Sequence, residues 1–164
     1  MKLTSSGEMD WVLTGGSEGN DTDSGICVDE AGALYWVGGF WLNGQYGELN
    51  LTSTKSSKSI FFTKYDTEGE VIWSKLIEGT NTKNSGPPIV DKEGNVYIAG
   101  SFADSLFVDQ QVFVARAEED SFVSKWNTDG QLIWLTHFGE EGLNRASEVI
   151  INTCLLYTSD AADE

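Results

Sequence analysis

Histidine, arginine and proline are nearly missing from this chain, which holds one, two and two of them in 164 residues. A single imidazole, His137, leaves a histidine-based metal site without a second ring to complete it, and a strand-end surface position is its expected place. Arg116 and Arg145 are too few to form a guanidinium cluster around an anionic substrate. Ten cations against 26 acidic residues give a formal charge of −16, which excludes a nucleic-acid partner, because phosphate backbones are bound by clustered Lys and Arg. No apolar run approaches the length of a transmembrane segment. The opening residues MKLTSSGEMDW also lack the apolar stretch of a secretory signal.

Glycine and aromatic residues are plentiful instead, with 18 Gly, six Trp, eight Phe and five Tyr. That balance predicts an all-β chain of short strands and tight turns. Three stretches align without gaps: KLTSSGEMDW (2–11), KYDTEGEVIW (64–73) and KWNTDGQLIW (125–134), placing Trp11, Trp73 and Trp134 at intervals of 62 and 61 residues. A second pair, VDEAGALYWVGGF (28–40) and VDKEGNVYIAGSF (90–102), has the same offset. Two motifs in a period this long define a repeat architecture.

Each motif holds a turn of the form Asp/Asn/Thr-x-x-Gly. The first side chain accepts hydrogen bonds that close the turn, and the glycine takes a positive φ without Cβ strain. Two such hairpins per unit make four strands. In the second unit these are SGPPIVD, NVYIAGSF, DSFVSKW and QLIWLTHF, and the first unit runs in parallel from Ser24 to Ile77. ALYWVGGF and NVYIAGSF are nearly continuous apolar runs, so both of their faces should be covered. The expected architecture is an incomplete β-propeller: the end of a blade (1–13), two four-stranded antiparallel blades (24–77 and 86–138) and the first strand of another (147–153). Small residues inside the strands, Gly38, Gly39, Ala99 and Gly100, are expected at close backbone approaches near a central channel.

The order YGELNLTSTKSSKSIFFTKYDTEGEVIWSK, then VDKEGNVYIAGSF, resembles the bacterial SBBP (seven-bladed β-propeller) repeat family over residues 1–153. The resemblance implies a propeller on a bacterial cell surface or in a secreted, often multidomain, protein; the expected function is a non-catalytic scaffold for protein or glycan partners, with no cofactor. The second unit departs from the family pattern between its second and third strands, at ADSLFVDQQVFVARAEEDSF. The Gly–Trp spacing is also similar to the tryptophan-docking repeat of quinoprotein dehydrogenases, which implies the alternative of a propeller enzyme, quinoprotein-like or glycan-active. Those repeats place Thr before the Gly, where this chain has Ser6, Glu68 and Asp129.

Several residues invite chemistry, each beside a plainer reading. GGSEG (15–19) fits the nucleophile-elbow pattern and nominates Ser17, yet an elbow needs a strand turning into a helix, and this stretch sits between two blades. Glu118, Glu119 and Asp120 are either an acid/base pair or a solvated acidic loop, and the loop is expected. NDTDSG (20–25) has the spaced oxygen ligands of a calcium loop, Asn20, Asp21 and Asp23, or is an inter-blade turn. Trp41, Asn43 and Tyr46 lie past a strand and could form an exposed platform for a sugar face.

The chain closes on CLLYTSDAADE (154–164), which breaks the repeat: a turn glycine is due at 155, where leucine stands. The stretch resembles the in-frame translation of a transposase adapter used in sequencing libraries, so it is expected to be non-native. Met1 aligns with Thr63 and Ser124, inside the third strand of each unit, so it is expected to be an internal methionine or a fragment start. Cys27 aligns with Ile89 and Ile150, which predicts a small buried apolar role.

Overall fold

The computed structural model describes residues 1–55, 57–151 and 156–160, and every one of the five expected turns is present. Gly7, Gly32, Gly69, Gly94 and Gly130 all have φ between +73° and +88°. Each donates its amide to the carbonyl three residues back, on Thr4, Asp29, Asp66, Asp91 and Asn127. The Asp29, Asp66, Asp91 and Asn127 side chains each accept two further turn amides, so the turn closes on itself whatever packs around it.

Strands run between these turns. β1 (Lys2–Leu3) and β2 (Met9–Trp11) form the leading hairpin, and β3 (Gly15–Ser17) follows. The first unit consists of β4 (Thr22–Val28), β5 (Leu34–Phe40), a side hairpin β6 (Asn43–Tyr46) and β7 (Leu49–Thr52), then β8 (Ser59–Tyr65) and the start of β9 (Val71–Ser85). The second unit takes the end of β9 with β10 (Ile89–Val90), then β11 (Val96–Val108), β12 (Gln111–Val114), β13 (Asp120–Trp126) and β14 (Leu132–Phe138). β15 (Ala146–Ile151) pairs antiparallel with β16 (Leu156–Asp160), which falls in the adapter-like stretch. Cys154 lies outside the described residues.

The fold is all-β and propeller-like, but incomplete. One hydrogen-bonded path, β14-β13-β11-β9-β8-β5-β4, carries both units. Two separate blades are the sequence expectation; the structure joins them through β9. Its first half pairs with β8, and its second half pairs with β11 from Val108 back to Gly100. The segment between the second and third strands of the second unit, one residue shorter than in the first, continues β11 to Val108 where the first unit breaks after Phe40 into a separate side hairpin, and so offers β9 an edge to follow.

The path curls so that its two halves share one core. Tyr35, Val37, Ile60, Phe62 and Ile77 of the first unit meet Ile98, Phe102, Phe122 and Trp126 of the second, all at 5% exposure or less. The central strands β5, β8, β11 and β13 are mostly buried on both faces, and the outer strands β4 and β14 are not. The strand glycines meet the close backbone approach expected and also make room for side chains: a Cβ at Gly100 would lie 2.5 Å from the Asn84 carbonyl, and one at Gly38 3.0 Å from the Thr22 carbonyl. The same Cβ at Gly38 or Gly100 would also meet the ring of Phe61 or Phe122 on the paired strand at 2.7 Å. Approach between units falls on Gly25, where a Cβ would lie 2.7 Å from Pro87, and on Gly86, packed against the Ser147 carbonyl.

The units are locked by a contact that recurs with the repeat. Trp11 Nε1 and Lys2 Nζ both donate to the Thr67 carbonyl, at 3.0 and 2.8 Å. One unit later, Trp73 Nε1 and Lys64 Nζ both donate to the Thr128 carbonyl, at 3.0 and 3.4 Å. Each indole lies on the glycine of the turn it reaches, Trp11 on Gly69 and Trp73 on Gly130. A carbonyl oxygen has two acceptor positions, and this clamp fills both.

Trp73→Ala is expected to destabilise the chain by about 3 kcal/mol, the cost of emptying an aromatic site in a core, and Trp73→Phe by about 1 kcal/mol, the lost hydrogen bond. Gly130→Ala adds a methyl to a positive-φ turn beneath an indole and should cost at least 1 kcal/mol. Urea unfolding followed by tryptophan fluorescence measures all three.

Candidate ligand cleft

The start of β4, the loop after β5, the start of β8, the middle of β9 and the loop before β15 meet at one end of the sheet. They enclose a cleft of about 520 Å³. Its chemistry comes from Trp41, Lys58, Arg145 and three amides, Asn20, Asn81 and Asn84, with Thr22 and Ser57 between them. Among the described residues no carboxylate lines it, in a chain with 26 of them.

Lys58 is 9% exposed, and its Nζ donates to Asn84 Oδ1 at 2.8 Å and to Thr22 Oγ1 at 3.4 Å. Burial pushes its pKa below the usual lysine value. Arg145 is held from behind: its Nε donates to Glu119 Oε1 and Oε2 at 3.1 and 3.2 Å, and Glu119 is fully buried and also accepts the Ser101 hydroxyl at 2.6 Å. The Trp41 amide donates to Ser17 Oγ at 3.2 Å, which fixes where the indole leaves the backbone. The residue after it, Leu42, has φ +55°, a left-handed conformation that turns the chain sharply past the cleft.

The sequence candidates land in several places. Of Asn20, Asp21 and Asp23, only Asn20 lines the cleft. Asp21 accepts the Ser17 amide at 2.9 Å and the Tyr46 hydroxyl at 3.1 Å, and Asp23 accepts the Trp36 indole at 3.2 Å, so the three side chains do not converge. Burial raises the Asp21 pKa, but the bonds from Ser17 and Tyr46 outweigh it and hold the carboxyl below its ordinary value. Among the described residues, no group of three or more His, Cys, Asp or Glu could hold a metal ion. Trp41 lies in the cleft, Asn43 is exposed and bonds to Thr52, and Tyr46 is 3% exposed in a cluster with Phe40 and Phe61. The three therefore do not share one platform. Ser17 ends a strand that leads to a bend and then β4, and its Oγ accepts backbone amides.

The acidic run departs from the solvated loop expected. Glu119 and Asp120 are both fully buried, because the strand alternation sends them to opposite faces, Glu119 to Arg145 and Asp120 to His137. Asp120 Oδ2 meets His137 Nδ1 at 2.8 Å, and Oδ1 accepts the amides of Arg116 and Ala117. His137 is thus a packed residue beside Phe102 and Phe113, instead of a surface one. Cys27 is half-buried against the main core, where desolvation, with Asp29 nearby, pushes its thiol up to about 12. The reading of the sequence passed over Lys58, Asn81, Asn84 and Arg145 as cleft residues. Their signal is columnar: Asp23, Asn84 and Arg145 share one repeat position, and Lys58 and Glu119 another, each 61 residues apart.

No protein-family model matches the chain. A 59-residue stretch, about one repeat long and 36% of the chain, is 41% identical to an uncharacterised WD repeat-containing protein, L264, of Acanthamoeba polyphaga mimivirus. The chain spans 4% of that protein's length. The likeness and the curled sheet agree on a propeller-like repeat. No helix among the described residues is long and apolar enough to cross a membrane.

Asp120 generates a pH test. Burial raises its pKa, but His137 and the two amides outweigh that and lower it from 3.8. A depressed carboxylate contributes stability that is fully present above the unfolded pKa and is lost as pH falls through the folded one. Unfolding midpoints should therefore fall below about pH 4, and Asp120→Asn, worth about 2 kcal/mol at neutral pH, should flatten that acid slope.

Proposed function

We propose that this chain is a non-catalytic binding module, a propeller-type scaffold that takes a protein or glycan ligand in the cleft around Trp41 and Lys58. The observation that carries the reading is the cleft's lining. An indole, amides, hydroxyls and two cations can hold a ligand's polar groups and an apolar face. General acid/base work needs a free carboxylate or imidazole at the ligand, and the nearby candidates, Glu119, Asp120 and His137, are spent on internal pairs. The WD-repeat likeness supports a scaffold that meets protein partners. The resemblance to the bacterial SBBP repeat supports a secreted or surface-exposed parent with further repeats.

Panels of peptides and of neutral and acidic oligosaccharides titrated into the protein test this. Binding should appear without turnover. Trp41→Ala should weaken it roughly fivefold, the worth of one stacked aromatic. Release of a reducing end or a cleaved peptide by the wild type, lost in Lys58→Met, would replace the scaffold with an enzyme.

A further inference from the structure

Among the described residues three charged side chains are buried, Lys58, Glu119 and Asp120, and two of them are matched. Glu119 holds the Arg145 guanidinium at 3.1 Å, and Asp120 accepts two backbone amides and meets His137 Nδ1 at 2.8 Å. Lys58 is not matched. Its ammonium forms no ion pair among the described residues, and two of its three N–H groups go to neutral oxygens, Asn84 Oδ1 at 2.8 Å and Thr22 Oγ1 at 3.4 Å. A buried charge is costly unless an opposite one meets it.

The repeat shows where that opposite charge would stand. Glu119 lies 61 residues after Lys58, and Arg145 lies 61 after Asn84, so the seam joining Glu119 to Arg145 is the one joining Lys58 to Asn84, one unit on. A further repeat adds no charge at Lys58, because the neighbouring unit's place there is already taken by Asn84, an uncharged amide. The surroundings differ in the same sense. Ser101 donates to Glu119 at 2.6 Å, whereas Gly39, in the matching place of the first unit, leaves room for the Lys58 stem: a Cβ there would lie 3.0 Å from Lys58 Cδ.

We propose that the Lys58 seam is an anion site and that its ligand is an acidic sugar, whose carboxylate takes the remaining N–H of Lys58 while its hydroxyls meet Asn81, Asn84 and Thr22 and its ring face meets Trp41. The inference rests on the cleft reading and narrows its ligand. A sugar fits better than a peptide because Trp41 is the one apolar side chain among the eight that line the cleft. Peptides are gripped through clusters of apolar anchors, whereas a sugar offers hydroxyls to amides and one C–H face to an indole.

Calorimetric titration of the full chain tests it, at about 0.15 M NaCl, where the repulsion from the acidic surface is screened beyond roughly 8 Å. The probes are trimers of galacturonate and of mannuronate and hyaluronan oligosaccharides, each beside its carboxyl-reduced form, and a polyglutamate peptide. At least one acidic sugar should bind about tenfold more tightly than its reduced form, the worth of one charge-assisted hydrogen bond. Lys58→Met should erase that preference. So should Asn84→Asp, which sets a carboxylate beside the ammonium at an exposed position and keeps the fold. Trp41→Ala should weaken acidic and reduced forms alike. Equal binding of the two forms, or a preference unchanged in both Lys58→Met and Asn84→Asp, would overturn the anion site and leave the cleft standing as a binding module. Binding of polyglutamate but of no sugar would overturn it in favour of a protein ligand, and binding of no sugar or peptide would overturn both readings.

Discussion

The structure depends on an indole that lies on a neighbour's glycine while its ring nitrogen and a lysine fill both acceptor positions of one carbonyl. A four-stranded unit here cannot cover its own second face: Tyr35, Val37 and Phe62 are buried only because Ile98, Phe122 and Trp126 of the next unit meet them. Apolar burial alone would tolerate sliding, since it carries no direction. The clamp at Thr67 and Thr128, together with the β9–β11 ladder, gives the burial a register, and the Ser24 to Ser85 hydroxyl pair at 2.8 Å follows it. In such arrays, stability is shared between a unit and its neighbour, so the glycine under the indole matters as much as the core it helps to close.

Turns and strands were legible in the sequence because their causes are local. Asp29, Asp66, Asp91 and Asn127 close their turns with their own side chains, and the following strands announce themselves in unbroken apolar runs. The joining of the units by β9 was not legible, since it depends on how far β11 extends, and nothing in GTNTKNS marks a strand. The strand glycines were half legible for a related reason. Gly38 and Gly100 are points of backbone contact, with the Thr22 and Asn84 carbonyls, but the phenylalanine one strand away that shares the space is revealed only by the pairing register.

The candidate cleft was harder still. Trp41 and Asn20 could be picked out as residue types, yet the reasons given for them, a three-residue platform and a calcium loop, dissolve once Tyr46 and Asp21 are seen bonded to each other. Lys58 and Arg145 owe their place to folding that brings residues 87 positions apart to one rim. Two cations at that rim, backed by buried Glu119, make it a local exception in a strongly acidic molecule. Beyond a Debye length of about 8 Å at physiological salt the acidic surface dominates, so an anionic ligand would meet repulsion before it met Lys58.

Glu119 and Lys58 occupy one repeat column, and their partners Arg145 and Asn84 another. Tandem repeats are prone to gain or lose a unit by unequal recombination, and most of this sequence would join cleanly across such an event. These two columns would not. Loss of one 61-residue unit would bring half-exposed Arg145 into the place of Asn84 beside buried Lys58, two cations at one seam in place of an amide and a cation. The unlike residues in these two columns thus make the contact sensitive to repeat spacing, at positions that a consensus of the repeats would average away.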